Sequence, residues 1–368
     1  MLAENCVRYA GVEAEIYTTT AGDERTWSAR YSEGEEVVND IKVLRFANDP
    51  IDRDKFDNWA SSLLSRPHDV DEKLFDEWLK RQGPYSPGLL DAIKVCQSDA
   101  IVFHPMLSSP TSHGIFRSKK PTILHPALHD EPLSRMPGYK DVMRRADLIA
   151  FSTRTEQNLA LEIMGLNLKR QSVIGFGVDA PSKIDGSRAK TILDSLELGN
   201  SSYAVVIGRV DPAKGADMCC QMFEELYSNI VGVEKIVFIG PISNSTKIMP
   251  NDEVVVARSV YDETKWALLS NARCLISPSV TESFSLVLLE ALKLGVPVVV
   301  NGSCGPTREH VENSSSGVLF TNAAEFVSAI NLSSIDSSYR NQMIRNGKSY
   351  VDNFYEWESV IDRYIAAV

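Results

Sequence analysis

Two glutamates eight residues apart, Glu282 and Glu290, interrupt an otherwise apolar stretch, TESFSLVLLEALKLGVPVVV at 281–300. Carboxylates in such surroundings need hydrogen-bond donors or cations to answer them. With its upstream residues the segment, CLISPSVTESFSLVLLEALKLGVPVVVNG, reads strand, loop, helix, strand. The helix starts near Ser283 or Ser285, either of which could be its N-cap, and ends at Gly295 before Pro297. Glu282 then lies in the loop before the helix, and Glu290 about 12 Å further along its axis. The backbone N–H groups of Ser283, Phe284 and Ser285 are helix-start donors, and a helix start at the carboxyl end of a parallel strand suits an anion. Taken alone, the same residues also read as a capping acid and a surface acid on an amphipathic helix.

A second cluster is AVVIGRVDPAKGADM at 204–218, with Arg209 and Lys214 in the loop after an apolar run. Arginine offers a fixed fork of donors and lysine a mobile point charge, a pairing suited to a diphosphate. Gly208 and Gly215 flank these cations and let backbone approach closely. A solvated loop with two surface cations is the competing reading. A third cluster, PTILHPALHDEP at 121–132, ends an apolar run with His125, His129, Asp130 and Glu131. A histidine there can position a hydroxyl or answer developing charge, or it can be a core histidine. GFGVD at 175–179 is half a dinucleotide fingerprint, and Asp69-Val70-Asp71 follows no strand, so neither is assigned a ligand. The six histidines and six cysteines show no metal-ligand spacing, and no metal site is expected.

These loops need strands to carry them. Short apolar runs at 12–20, 99–104, 121–128, 148–153, 202–209, 234–240, 274–279 and 296–302 read as buried strands. Helical patterns such as STRTEQNLALEIM, GADMCCQMFEELYSNI and YDETKWALLSNA separate most of them. Such alternation predicts parallel sheets flanked by helices. The 368 residues suit two domains, with a boundary in the polar stretch 177–202. The pattern FYEWESVIDRYIAAV predicts a closing helix over 354–368. The chain opens on a helical pattern, LAENCVRYAG, where a doubly wound domain would start with a strand and a Gly-rich turn. The formal net charge of −11 disfavours a nucleic-acid binder. Scattered cysteines read as reduced thiols, the first residues hold no signal-peptide hydrophobic region, and no run is long enough for a transmembrane helix. A cytoplasmic location is expected.

The three clusters together resemble the retaining glycosyltransferases of family 4. Gly208, Arg209, Lys214 and Gly215 match a G-R-x-x-x-x-K-G element, Gly240-Pro241 the end of the next strand, and Pro278, Ser279, Glu282, Phe284, Glu290 and Ala291 a P-S-x-x-E-x-F-x-x-x-x-x-E-A element. The match is most specific over 200–320. TTTAGDERTWSARYSEG, QGPYSPGLL, HDEP at 129–132 and FSTRTEQNLA point to one branch of that family. The resemblance implies the α/β GT-B architecture: two Rossmann-like domains whose parallel sheets face an interdomain cleft. Residues 1–180 would form the acceptor-side domain, lacking its first strand and Gly-rich loop and completed by the helix 354–368. Residues 181–353 would bind the nucleotide sugar.

The resemblance also implies roles. Arg209 and Lys214 neutralise the donor diphosphate, beside Gly208. Glu290 accepts from the ribose hydroxyls. Glu282, with the N–H groups of Ser283, Phe284 and Ser285, holds the donor sugar and leaving phosphate. His129 faces the reacting sugar, with His125 as the alternative. The implied activity moves a sugar from a UDP- or GDP-sugar to a glycan or lipid-linked acceptor with retention, without cofactor or metal and with peripheral membrane contact open. The alternative is a noncatalytic sugar-nucleotide-binding or partner subunit.

Overall fold

The computed structural model describes the whole chain except Glu24, residues 166–169, 182–183 and 259–261, and the side chain of Met164. Tyr261, the first residue of one expected helix, therefore lies outside the described residues. The chain divides into two compact units, Met1–Gly175 with Val360–Val368, and Phe176–Ser359.

In the second unit every strand is almost wholly apolar, as a strand covered on both faces must be. The strands β8 (Tyr203–Ile207), β9 (Lys235–Ile239), β10 (Val254–Ala257), β11 (Cys274–Ser277), β12 (Val298–Asn301) and β13 (Gly317–Phe320) form one parallel sheet. Their order is β10-β9-β8-β11-β12-β13, the Rossmann order, in which the chain reverses its winding between β8 and β11. Side-chain alternation builds two separate cores from one set of strands. Tyr203, Val205, Leu275, Val298 and Val300 face one core, while Ala204, Val206, Cys274, Ile276 and Val299 face the other. The helix Leu286–Leu294 packs Leu288, Leu289, Ala291 and Leu292 into the first core. Each such buried leucine contributes roughly 1.5–3 kcal/mol.

The first unit contains β1 (Glu15–Thr19), β2 (Gly34–Val38) and β3 (Ile41–Phe46) in one sheet, and β4 (Ile101–Phe103), β5 (Thr122–Leu124), β6 (Leu148–Phe151) and β7 (Gln171–Val173) in another. The helix Leu2–Ala10 precedes β1. Strand β1 pairs with β3 and β4 pairs with β5, and among the described residues no strand joins β1 to β4. The core gathers Trp78, Tyr139, Met106, Leu124 and Phe151, with the Trp78 indole N–H donating to the Tyr139 hydroxyl at 3.1 Å.

All eight expected strands are present, each one or more residues shorter than its apolar run. Strands β2, β3, β7, β10 and β13 were not anticipated. The β2–β3 hairpin did carry a signal: Asn39 and Asp40 link the strands with φ of 49° and 63°, the two left-handed positions of a tight hairpin turn. The closing pattern is not one helix from residue 354. Phe354 ends the helix Ser338–Phe354, and the last helix is Trp357–Ala367. At the break the Tyr355 carbonyl accepts from the Val178 N–H at 2.9 Å instead of continuing the helix.

One glycine couples the ends of β8 and β9. Gly240 has φ of 143°, and a Cβ there would sit 2.0 Å from the Gly208 carbonyl oxygen. Gly240→Ala should therefore lose about 3 kcal/mol of unfolding free energy in urea. A loss below about 0.5 kcal/mol would show that this contact yields easily.

Candidate functional site

The reversal between β8 and β11 leaves a crevice beyond their carboxyl ends, the usual ligand position in such sheets. Both sequence motifs end there. After β8, Gly208 turns with φ of 137° and its N–H donates to the Ile239 carbonyl at 3.0 Å. Asp211, almost fully buried, caps the turn Pro212–Lys214 by accepting the Lys214 N–H at 2.9 Å. It also takes the Arg209 Nε donor. Gly215 follows with φ of 74°, and a Cβ there would meet the Pro278 carbonyl oxygen at 2.7 Å. Only glycine lets the β8 and β11 loops close on each other this way.

That closeness brings Lys214 to Glu282. The Nζ–Oε1 distance is 2.8 Å, and Nζ also donates to the Thr281 carbonyl at 3.2 Å. Gly208, Arg209, Lys214, Ser279, Glu282 and Ser285 are among the residues around a cavity of about 240 Å³. Of the two serines that could start the helix, the structure uses the later one. Ser285 is the N-cap, in the left-handed region with φ of 69° and ψ of 76°, and its side chain makes no capping bond. Ser283 and Phe284 precede the helix as loop.

Glu290 lies on that helix and is answered by Lys265 from the helix Asp262–Asn271, at 3.1 Å. Burial pushes the Glu290 carboxyl above its ordinary value, and Lys265 opposes that shift. Lys265 also lies 3.9 Å over the Trp266 ring. Thus each acid and cation assigned from sequence in this unit has an internal partner: Arg209 with Asp211, Lys214 with Glu282, and Glu290 with Lys265. A bound diphosphate would have to take Lys214 and Arg209 over from carboxylates.

Asp211 and Lys265 were not singled out from sequence. Asp211 had a signal, Asp-Pro followed by a short turn, which is an N-cap pattern. Lys265 had none, because its partner is 25 residues away. A third residue missed is His310, fully buried behind the Phe284 backbone.

The first unit carries the histidine loop after β5. His125 is 2% exposed and stacks on Tyr364, and burial pushes its imidazole down to about 3. His129 keeps 29% of its side chain exposed and lies 3.4 Å from Glu131, so of the two it is the one a ligand can reach. Asp130 pairs with Arg135 at 2.6 Å, and the Arg135 guanidinium also donates to the Glu131 carbonyl.

The loop is anchored by Glu156, which is wholly buried. Its two oxygens accept the Leu128 N–H at 2.7 Å and the Ser152 N–H at 2.6 Å. Thr153 caps the same helix from the N-cap position. The Thr-x-x-Glu spacing is that of a capping box, but this Glu reaches across to the histidine loop.

Burial outweighs those two bonds and raises the Glu156 pKa from 4.5 to about 7. Between those values the native chain binds more protons than the unfolded chain, so stability falls as pH rises through that window. Urea unfolding should show the wild type losing stability between about pH 5 and 7 relative to Glu156→Gln. Parallel profiles would exclude Glu156 as the source.

Comparison with known proteins adds three findings. Residues 189–350 match the family model described as glycosyl transferases group 1. The D-inositol 3-phosphate glycosyltransferase of Acidothermus cellulolyticus is 26% identical over 252 residues, covering 63% of this chain and 55% of that protein. Glycosyltransferase 1 domain-containing protein 1 of Xenopus tropicalis is 27% identical over 169 residues, 44% of this chain and 48% of that one. The chain spans about half the length of the curated relatives it matches.

Among solved structures, sucrose-phosphate synthase from Thermosynechococcus elongatus matches with a TM-score of 0.72 at 16% identity, covering 99% of this chain and 90% of that one. Anabaena HepE, solved with UDP and glucose, matches at 0.66 and 16%, over 89% and 86%. The fold is GT-B, with two Rossmann-like units. Among the described residues no group of three or more His, Cys, Asp or Glu is placed to hold a metal, and no helix is long and apolar enough to cross a membrane.

Proposed function

We propose that this chain is a glycosyltransferase of family 4 that moves a sugar from a UDP- or GDP-sugar to an acceptor with retention of configuration. The observation that carries the reading is the Lys214–Glu282 pair at 2.8 Å, set beside Arg209 at the β8/β11 reversal within the segment that matches the group 1 model.

The chemistry follows from charge. Breaking the bond between the sugar's anomeric carbon and the diphosphate leaves positive charge on the sugar and negative charge on the leaving group. Lys214 exchanges Glu282 for a phosphate oxygen, and Arg209 exchanges Asp211, so both cations meet the charge that develops. Glu282, released, accepts from hydroxyls of the donor sugar. The loop N–H groups of Ser283, Phe284 and Ser285 complete the cradle for the leaving phosphate. Glu290 accepts from the ribose hydroxyls. The acceptor hydroxyl attacks on the face the diphosphate is leaving and gives its proton to a phosphate oxygen. This scheme asks for no metal and no covalent intermediate on Glu282.

His129 contributes at the reacting sugar. His129→Ala should lower turnover at least about tenfold and leave nucleoside diphosphate affinity unchanged, because the residue lies in the other unit. Unchanged turnover would remove it from the site.

The acceptor is a glycan or lipid-linked sugar, used in the cytoplasm or at a membrane surface. The test is release of nucleoside diphosphate from UDP- and GDP-sugars with a panel of acceptors. The panel includes oligosaccharides, lipid-linked sugars and, after the relatives' name, D-inositol 3-phosphate. Binding of the diphosphate without release from any donor would instead support a noncatalytic binding subunit.

A further inference from the structure

We propose that His310 is a positioning residue: by holding the Phe284 carbonyl, it aims the Ser285 N–H into the donor cavity. The inference rests on the donor-site reading above. A peptide group is planar and trans, so its C=O and N–H point in opposite directions. The carbonyl of Phe284 and the N–H of Ser285 belong to one such group. His310 Nε2 lies 3.0 Å from the Phe284 oxygen. That fixes the carbonyl toward the buried side, and the N–H of Ser285 then points away from it, toward the cavity that Ser285 lines with Lys214 and Glu282.

The tautomer follows from the partners. A carbonyl oxygen only accepts, so Nε2 carries the hydrogen. Nδ1 then accepts from the Tyr350 hydroxyl at 3.1 Å, and the Tyr350 oxygen lies 3.2 Å from the Tyr355 hydroxyl. His310 is fully buried and makes edge contacts with the rings of Phe284, Tyr350 and Tyr355. Burial pushes its pKa down to about 4, which keeps the ring neutral and leaves Nδ1 able to accept from Tyr350.

The backbone shows why a clamp is needed. Ser285 has φ of 69°, a region that favours glycine. Rotating the 284–285 peptide by half a turn would carry that φ to negative values. It would also turn the Ser285 N–H out of the cavity and leave the carbonyl in its place. The bond from His310 opposes that rotation.

Two substitutions separate clamp from packing. His310→Gln places an amide nitrogen near the former Nε2, and His310→Asn falls a bond short. Calorimetric titration with UDP or GDP, whichever the wild type binds, is compared with competition by the corresponding nucleoside. The Asn variant should bind the diphosphate about 10- to 100-fold more weakly and the nucleoside within about twofold of wild type, with Gln within about threefold for both. Adding Ser285→Gly to His310→Asn should recover about threefold, because glycine removes the bias toward the rotated peptide.

Equal affinities for Asn, Gln and wild type would overturn the inference, as would a parallel loss of diphosphate and nucleoside. If His310→Asn does not fold, Tyr350→Phe takes its place. It should weaken the diphosphate selectively by a few fold, and an unchanged affinity would overturn the inference. A wild type that binds neither diphosphate would instead sink the donor-site reading itself.

Discussion

Lys214→Ala is expected to weaken nucleoside diphosphate binding about 100-fold, with the fold intact. Lys214 is half-buried and projects from a loop held in shape by the Asp211 carboxylate on the Lys214 backbone N–H and by the close approach of Gly215 to Pro278, so removing its side chain leaves that loop standing. A charge-assisted hydrogen bond to a phosphate contributes about 1.5–3 kcal/mol net. Removing the lysine also strips Glu282 of its 2.8 Å partner and leaves that carboxylate facing the incoming diphosphate. The two effects act in the same direction, and each 1.4 kcal/mol is a factor of ten. Lys214→Arg should retain part of the affinity, since charge survives while the 2.8 Å geometry with Glu282 does not. An affinity for Lys214→Ala within twofold of wild type would remove Lys214 from the diphosphate site.

The second large effect separates binding from chemistry. Glu282→Gln should lower turnover of the nucleotide sugar about 100- to 1000-fold, in the range seen when one group answering transition-state charge is removed. The same variant should bind the free nucleoside diphosphate as well as wild type or better. The reason is specific to this site: Lys214 is already engaged by Glu282, and the diphosphate must displace that carboxylate. A neutral glutamine releases the lysine at lower cost. Steady-state turnover and calorimetry on one preparation read both effects. A variant that loses binding and turnover together would mean that Glu282 only holds Lys214 in place.

The cationic and acidic members of the candidate site, and the strands that carry them, were named from sequence. Gly208, Arg209, Lys214 and Gly215 follow an apolar run, and Glu282 precedes a helix that ends at a glycine. Those are local signals, and the structure sets both loops at one sheet reversal. Pairings were not legible. Nothing local ties Lys265 to Glu290, or His310 to the Phe284 carbonyl 26 residues earlier, because such contacts exist only once the sheet has placed its helices.

Glu156 shows an intermediate case. Its capping-box spacing lies in the sequence but was not singled out, and its reach to the Leu128 N–H depends on how β5 and β6 pair. The start of the helix after Glu282 falls at one of the two serines the sequence offered, but the geometry there was not legible. Serine is a good N-cap by type, but Ser285 takes a left-handed backbone in which its side chain caps nothing.

Calorimetric titration of the wild-type chain with UDP and GDP tests the central claim most directly. The site between the β8 and β11 loops predicts one molecule of at least one of them bound per chain. Its dissociation constant should fall in the range of roughly 1 μM to 1 mM usual for enzyme substrates. Absence of binding by both, at concentrations well above that range, would contradict it.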